Sequence, residues 1–174
     1  MKVNDEWIEF VNKNKDAVSN LIDVYNEECL QRFDFCKELN KKIKEIDPSI
    51  NVGTYSGGRI DPYYSVYVNI KLENETMSCI ETYIMKKPTI GKLYEDYSKV
   101  YMALWDRNHQ GYGHLEKLVN TIGIKTAERH TSDGWKEQFI LQIHPVDSID
   151  INKLASDIVE YANIIKHSFG KKDQ

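Results

Sequence analysis

The chain has 174 residues, 41% of them hydrophobic and 29% charged, with 11 tyrosines and a formal net charge of -4. This composition supports a folded core and excludes an intrinsically disordered chain. The negative balance excludes general nucleic-acid binding driven by phosphate neutralisation. No apolar run approaches the ~20 residues of a membrane span, so no membrane partner is expected.

No secretory leader is recognisable, and a single domain is expected over 1–170 with a polar tail at 171–174. The cysteines, Cys29, Cys36 and Cys79, are odd in number and fall on apolar faces. They read as reduced core thiols of a cytoplasmic protein. The abundance of Lys, Ile and Asn points to an AT-rich genome, bacterial or phage.

Asn4 or Asp5 can cap a short first helix that carries Trp7, Phe10 and Val11, and the polar stretch 12–16 breaks or kinks it. Val18, Ile22, Tyr25, Cys29, Phe33, Cys36, Leu39, Ile43 and Ile46 then follow at steps of three or four. That spacing predicts one amphipathic helix from Asp16 to Ile46, roughly 45 Å long. A helix of that length must lie across a whole sheet, or its free end must meet another chain. Packing within the chain is the expectation, because the stripe lacks the repeated Leu and Ile of a coiled-coil seam; a homodimer through the long helix is the alternative. Asp47-Pro48 ends the helix.

A short strand is expected over Ile50–Tyr55. Tyr64, Val66, Val68, Ile70 and Leu72 alternate with polar or aromatic residues and predict the clearest strand, which a turn at 73–76 joins to a strand over Met77–Met85. Lys99–Trp105 follows as a fourth strand, and Tyr112–Ile122 as a helix closed by Gly123 at its C′ position. Ile124–His130 and Trp135–His144 read as a hairpin across Asp133-Gly134. Asp147 or Asp150 caps a last helix with Ile151, Leu154, Ile158, Tyr161, Ile165 and Phe169 on one side, ended by Gly170. The expected class is α+β: a mainly antiparallel sheet of five or six strands, packed by a long N-terminal and a C-terminal helix.

Candidate sites are few. A two-residue turn at Asn74-Glu75 would set Glu81 opposite Val68, on the most apolar row of the sheet. A buried carboxylate there is either a metal ligand or general base, or a structural group bonded to a tyrosine; the structural role is the one expected. A nuclease-type arrangement with Asp61 would need Lys where the chain has Tyr83. The loop 106–114 joins a strand to a helix N-terminus, where backbone amides favour an anion. Arg107, His109 and His114 could assist there, and Asp106 and His109 are the remaining metal candidates. Arg59 follows Gly57-Gly58 but lacks phosphate-loop spacing. Tyr63, Tyr67, Tyr101 and Trp105 stand opposite the main apolar rows, as interface or core residues.

These observations imply no cofactor. The expected function is a non-enzymatic protein-binding module of immunity-protein, antitoxin or inhibitor type, presenting an acidic, tyrosine-rich surface to a protein partner. The alternatives are a metal-dependent hydrolase or nuclease using Glu81 with Asp61, Asp106 or His109, and a sensor that binds a small anion at the Arg107 loop.

Overall fold

The computed structural model describes residues 5–56, 64–72, 77–83, 99–106, 112–125, 127–132 and 136–169. Its helices are α1 (Asp5–Lys13), α2 (Lys15–Ile46), α3 (Tyr112–Ile122) and α4 (Ile151–Phe169), with a 3-10 turn at Val146–Ser148. Its strands are β1 (Val52–Ser56), β2 (Tyr64–Lys71), β3 (Met77–Tyr83), β4 (Lys99–Asp106), β5 (Glu128–Ser132) and β6 (Lys136–Pro145). The element order is the one the periodicities predict. The strands form one six-stranded sheet in the order β1-β2-β3-β4-β6-β5, antiparallel at every pairing.

Several boundaries follow from local chemistry. Asp47 closes α2 in extended backbone, its N–H donating to the Ile43 carbonyl, because the residue before proline avoids the helical region. Its carboxylate accepts from the backbone N–H and hydroxyl of Ser49 at 2.9 and 2.6 Å, which holds the carboxyl below its ordinary pKa. The Lys44 ammonium donates to the Ile50 carbonyl at 2.6 Å, so Ile50 belongs to the turn and β1 starts only at Val52. Gly123 takes φ +75 after α3 and donates to the Val119 carbonyl, a left-handed cap that disfavours any residue with a Cβ. β5 accordingly begins at Glu128, later than the expected Ile124. Of the two candidate caps for α4, Asp150 accepts from the backbone N–H groups of Asn152 and Lys153, both at 3.0 Å.

The core lies between one face of the sheet and the helices. Val66, Val68, Ile70, Ile80, Met102 and Leu104 of the central strands meet Cys36, Leu39 and Ile43 of α2, Leu115 and Leu118 of α3, and Leu154, Ile158 and Ile165 of α4, all buried. Thr82 sits in the same row between Val66 and Met102. The opposite row holds Ser65, Tyr67, Asn69, Cys79, Tyr101, Ala103 and Trp105. Ala103 and Ile140 form a small second cluster there, with Tyr101 against it.

The long helix departs from expectation along half its length. Among its described side chains Arg32 is the first that is buried, and Cys36, Leu39 and Ile43 are fully enclosed. Phe33 is half-buried, its ring 5.8 Å from that of Tyr64 and capped by the Lys37 ammonium at 4.0 Å. Val18 is half-buried, while Ile22 and Ile46 are exposed. The stripe therefore does not pack on its own domain throughout. The buried side chains described on α2 all lie in its C-terminal half, and at 1.5 Å per residue the segment 15–31 extends the helix by roughly 25 Å.

Candidate interaction surface

The most distinctive surface among the described residues is the arm formed by α1 and the first half of α2. No residue of α1 is buried. Trp7, Ile8, Phe10, Val11, Leu21, Ile22, Val24 and Leu30 are each between 41% and 70% exposed. Single exposed apolar side chains are ordinary, but eight large ones on one continuous segment form a patch. On α1, Trp7 and Phe10 are one turn apart and meet edge to face, with centroids 5.9 Å apart. The two helices are separated by the single turn residue Asn14, whose φ -122 and ψ 34 leave the helical region. Its side-chain amide donates to the Phe10 carbonyl at 2.8 Å.

The arm is also where the negative charge lies. Residues 5–31 hold Asp5, Glu6, Glu9, Asp16, Asp23, Glu27 and Glu28 against Lys13 and Lys15, a net of -5 in a chain whose total is -4. The remainder of the chain is close to neutral. At about 100° per residue, Asp16, Asp23 and Glu27 fall on the side of α2 opposite Val18 and Ile22. Leu21 flanks that pair, whereas Val24 and Leu30 fall toward the acidic side, so apolar side chains and carboxylates are interleaved around the first half of α2.

The residues singled out from sequence are distributed differently. The β2–β3 ladder pairs Lys71 with Met77, so Val68 faces Ile80, and Glu81 is the Cα partner of Tyr67 and Ala103. The expected pairing of Glu81 with Val68 is thus wrong by one residue, and one step moves a whole strand's side chains to the other face. The observed register has a physical reason. It puts Ile80 in the apolar row, where it is 1% exposed, and keeps the carboxylate position out of that row. The Glu81 side chain itself lies outside the described residues.

Asp106 is buried at the end of β4, and His114 is half-buried in the first turn of α3. Arg107 and His109 lie outside the described residues, as do Arg59, Asp61 and Tyr63. Among the described residues no three His, Cys, Asp or Glu side chains converge as a metal site would require. Tyr67 and Tyr101 are half-buried and Trp105 is buried, so these three present less surface than the arm does. Tyr67 has a local task. Its ring lies over Gly53 on the edge strand β1, where any Cβ would overlap it.

One polar cluster has no counterpart in the sequence reading. The Gln142 amide nitrogen donates to Asp157 at 3.2 Å and to the Tyr161 hydroxyl at 2.8 Å. Lys153 grips the same carboxylate with contacts of 3.1 and 3.0 Å. A carboxylate only accepts, so the amide nitrogen must face Asp157 and the amide oxygen must face His144, 2.8 Å away. That oxygen requires a proton on His144 Nε2. Hydrogen bonding to Asp157 raises the Lys153 ammonium above its ordinary pKa, and burial, reinforced by the same carboxylate, raises the Tyr161 phenol. The cluster ties α4 to β6. Its signal in the sequence is weak, because Gln142 and His144 are separated from Asp157 by more than a dozen residues.

Comparisons with models of protein families, with curated proteins and with solved structures find no match.

Proposed function

We propose that this chain is a non-enzymatic protein-binding module of the kind represented by immunity proteins, antitoxins and inhibitors, and that the arm is its binding surface. One observation carries the reading: eight large apolar side chains stand exposed on a segment that also concentrates the carboxylates. An arm of this kind supports binding through a desolvated apolar centre and a charged rim that steers encounter. Tyr67 and Tyr101 on the outer sheet row give a smaller second contact area. The function needs no cofactor. We place it in the cytoplasm, in keeping with Cys36 and Cys79 as buried free thiols.

The test uses the full chain as bait, wild type beside a Leu21→Glu, Ile22→Glu variant, for affinity capture from native lysate and mass spectrometry. Both replaced residues are more than half exposed, so the variant should keep its melting temperature. A protein partner retained in stoichiometric amount by wild type and lost from the variant is the expected result. Equal capture by both baits removes the arm from the function. Capture of nothing by either overturns the binding-module reading.

A further inference from the structure

We propose that the C-terminal part of β6 has two stable registers one residue apart, and that Gln142, held by Asp157 and Tyr161 of α4, selects the one observed. The inference concerns the sheet and is independent of the arm.

The alternation of the strand is the first argument. From Phe139 the chain reads Phe-Ile-Leu-Gln-Ile-His, apolar at 139, 141 and 143, and polar at 142 and 144. A regular strand with Phe139 in the core would turn Leu141 and Ile143 inward, and Gln142 and His144 outward. Beyond Leu141 the observed ladder does the reverse. β4 and β6 pair Ala103 with Ile140 but Met102 with Gln142, so Leu141 and Gln142 follow one another on the inner side. Gln142 then stands opposite Met102 and His144 opposite Val100, both enclosed in the core. Ile143 stands opposite Tyr101 on the outer row and is 51% exposed. The bulge thus exposes an isoleucine and turns an amide and an imidazole toward the helices, against the pattern of its own strand. A conflict of this kind between local pattern and fold marks a place where another interaction holds the structure.

That interaction is polar. The Gln142 amide nitrogen donates to Asp157 and to the Tyr161 hydroxyl, its oxygen accepts from His144, and Lys153 anchors the Asp157 carboxylate. Without the bulge the pairs would be Met102 with Leu141, Tyr101 with Gln142, Val100 with Ile143 and Lys99 with His144. This regular ladder gives up the contacts to α4 and encloses Ile143 beside Val100. One aliphatic side chain buried and two hydrogen bonds lost are opposing terms of similar size. The residue released at the end of β6 passes into the turn Val146–Ser148, and a connection accepts one more residue at small cost. α4 keeps its cap at Asp150 in either register. The register decides whether an isoleucine or a glutamine stands beside Tyr101 on the outer face. A one-residue step therefore turns an apolar surface polar.

Nuclear Overhauser contacts between β4 and β6 in the full chain distinguish the two ladders. Wild type should show Val100 beside His144 and Met102 beside Gln142. The variant Asp157→Ala, Tyr161→Phe removes both acceptors and should move at least about half of the molecules to the ladder with Val100 beside Ile143. Adding Ile143→Ser to that variant should restore the bulge, because the apolar gain is gone. Gln142→Glu leaves α4 unchanged, sets a second carboxylate against Asp157, and should give the same regular ladder. Retention of the bulged ladder in either variant overturns the proposal. So does unfolding of either in place of a register change, because the second register must be a folded one. A shift that Ile143→Ser does not reverse also overturns it.

Discussion

Residues 15–31 and 32–46 of α2 share one helix and one apolar periodicity, yet their environments are opposite. In the second half Cys36, Leu39 and Ile43 are sealed between the sheet and α4. In the first half Leu21, Ile22 and Val24 face outward. Both halves have an amphipathic pattern, and among the described residues only the second half holds buried side chains. A hydrophobic period thus specifies that a helix has a face to bury, while the length of the sheet decides how much of that face its own domain can reach. A helical segment without tertiary cover is only marginally stable in water, which gives the free half a reason to find a partner.

The contrast can be broken or sharpened by substitution. Leu39→Ala should cost roughly 3–4 kcal/mol in urea unfolding, since the side chain is fully enclosed and leaves a cavity. Leu21→Ala should cost under about 1 kcal/mol, since that side chain is 70% exposed. Similar losses at the two positions would erase the distinction between the halves. Phe33, half-buried at the boundary, should fall between them, with Phe33→Ala costing roughly 1–2 kcal/mol.

Cys36 sharpens the contrast through its chemistry. Burial pushes its thiol from an ordinary value near 9 up to about 12. The unfolded chain loses this proton at lower pH than the folded chain does. The associated stability is therefore complete below about pH 9 and is lost progressively as pH rises toward 12. Cys36→Ala should flatten the alkaline limb of the stability profile, and the wild-type thiol should react with a disulfide reagent only as fast as the fold opens. The smallest effect belongs to Asp47. Its carboxyl is depressed in the fold, so its contribution is present above the unfolded carboxylate value and fades as pH falls through the folded one. Asp47→Asn should slightly reduce the acid sensitivity of the melting temperature.

The order of elements was legible because each carried its own period or punctuation. β2 alternated at period two, α4 had an apolar stripe behind Asp150, and Gly123 marked the end of α3. What was not legible depended on contacts between elements. The β2–β3 register turned on one residue of the connection: a two-residue turn at Asn74-Glu75 set Glu81 beside Val68, where the ladder has Ile80. The extent of α2 burial depended on where the sheet ends, which no residue of α2 encodes. The Gln142–Asp157 cluster joins a strand to a helix and has no local signature. Of the candidate surface, Trp7, Phe10 and Val11 were visible as an apolar face, but nothing in their spacing revealed that the face stays uncovered.

The ladder between β4 and β6 shifts register between Met102 and Ala103, with Gln142 opposite Met102 and Ile140 opposite Ala103. Leu141 is the residue left over, and it lies in the core beside Phe139. β6 therefore carries one residue of slack. Deleting Leu141 would remove a core leucine but would keep every other Cα partner of β4 in place, with Gln142 still facing Asp157 and Tyr161. Deleting Val100 from β4 has no such reserve, because no surplus residue stands beside it to absorb the slip. Tolerance to a change in chain length is in this sense written into β6 at a single position, and a set of one-residue deletions along the two strands would locate it as the least disruptive.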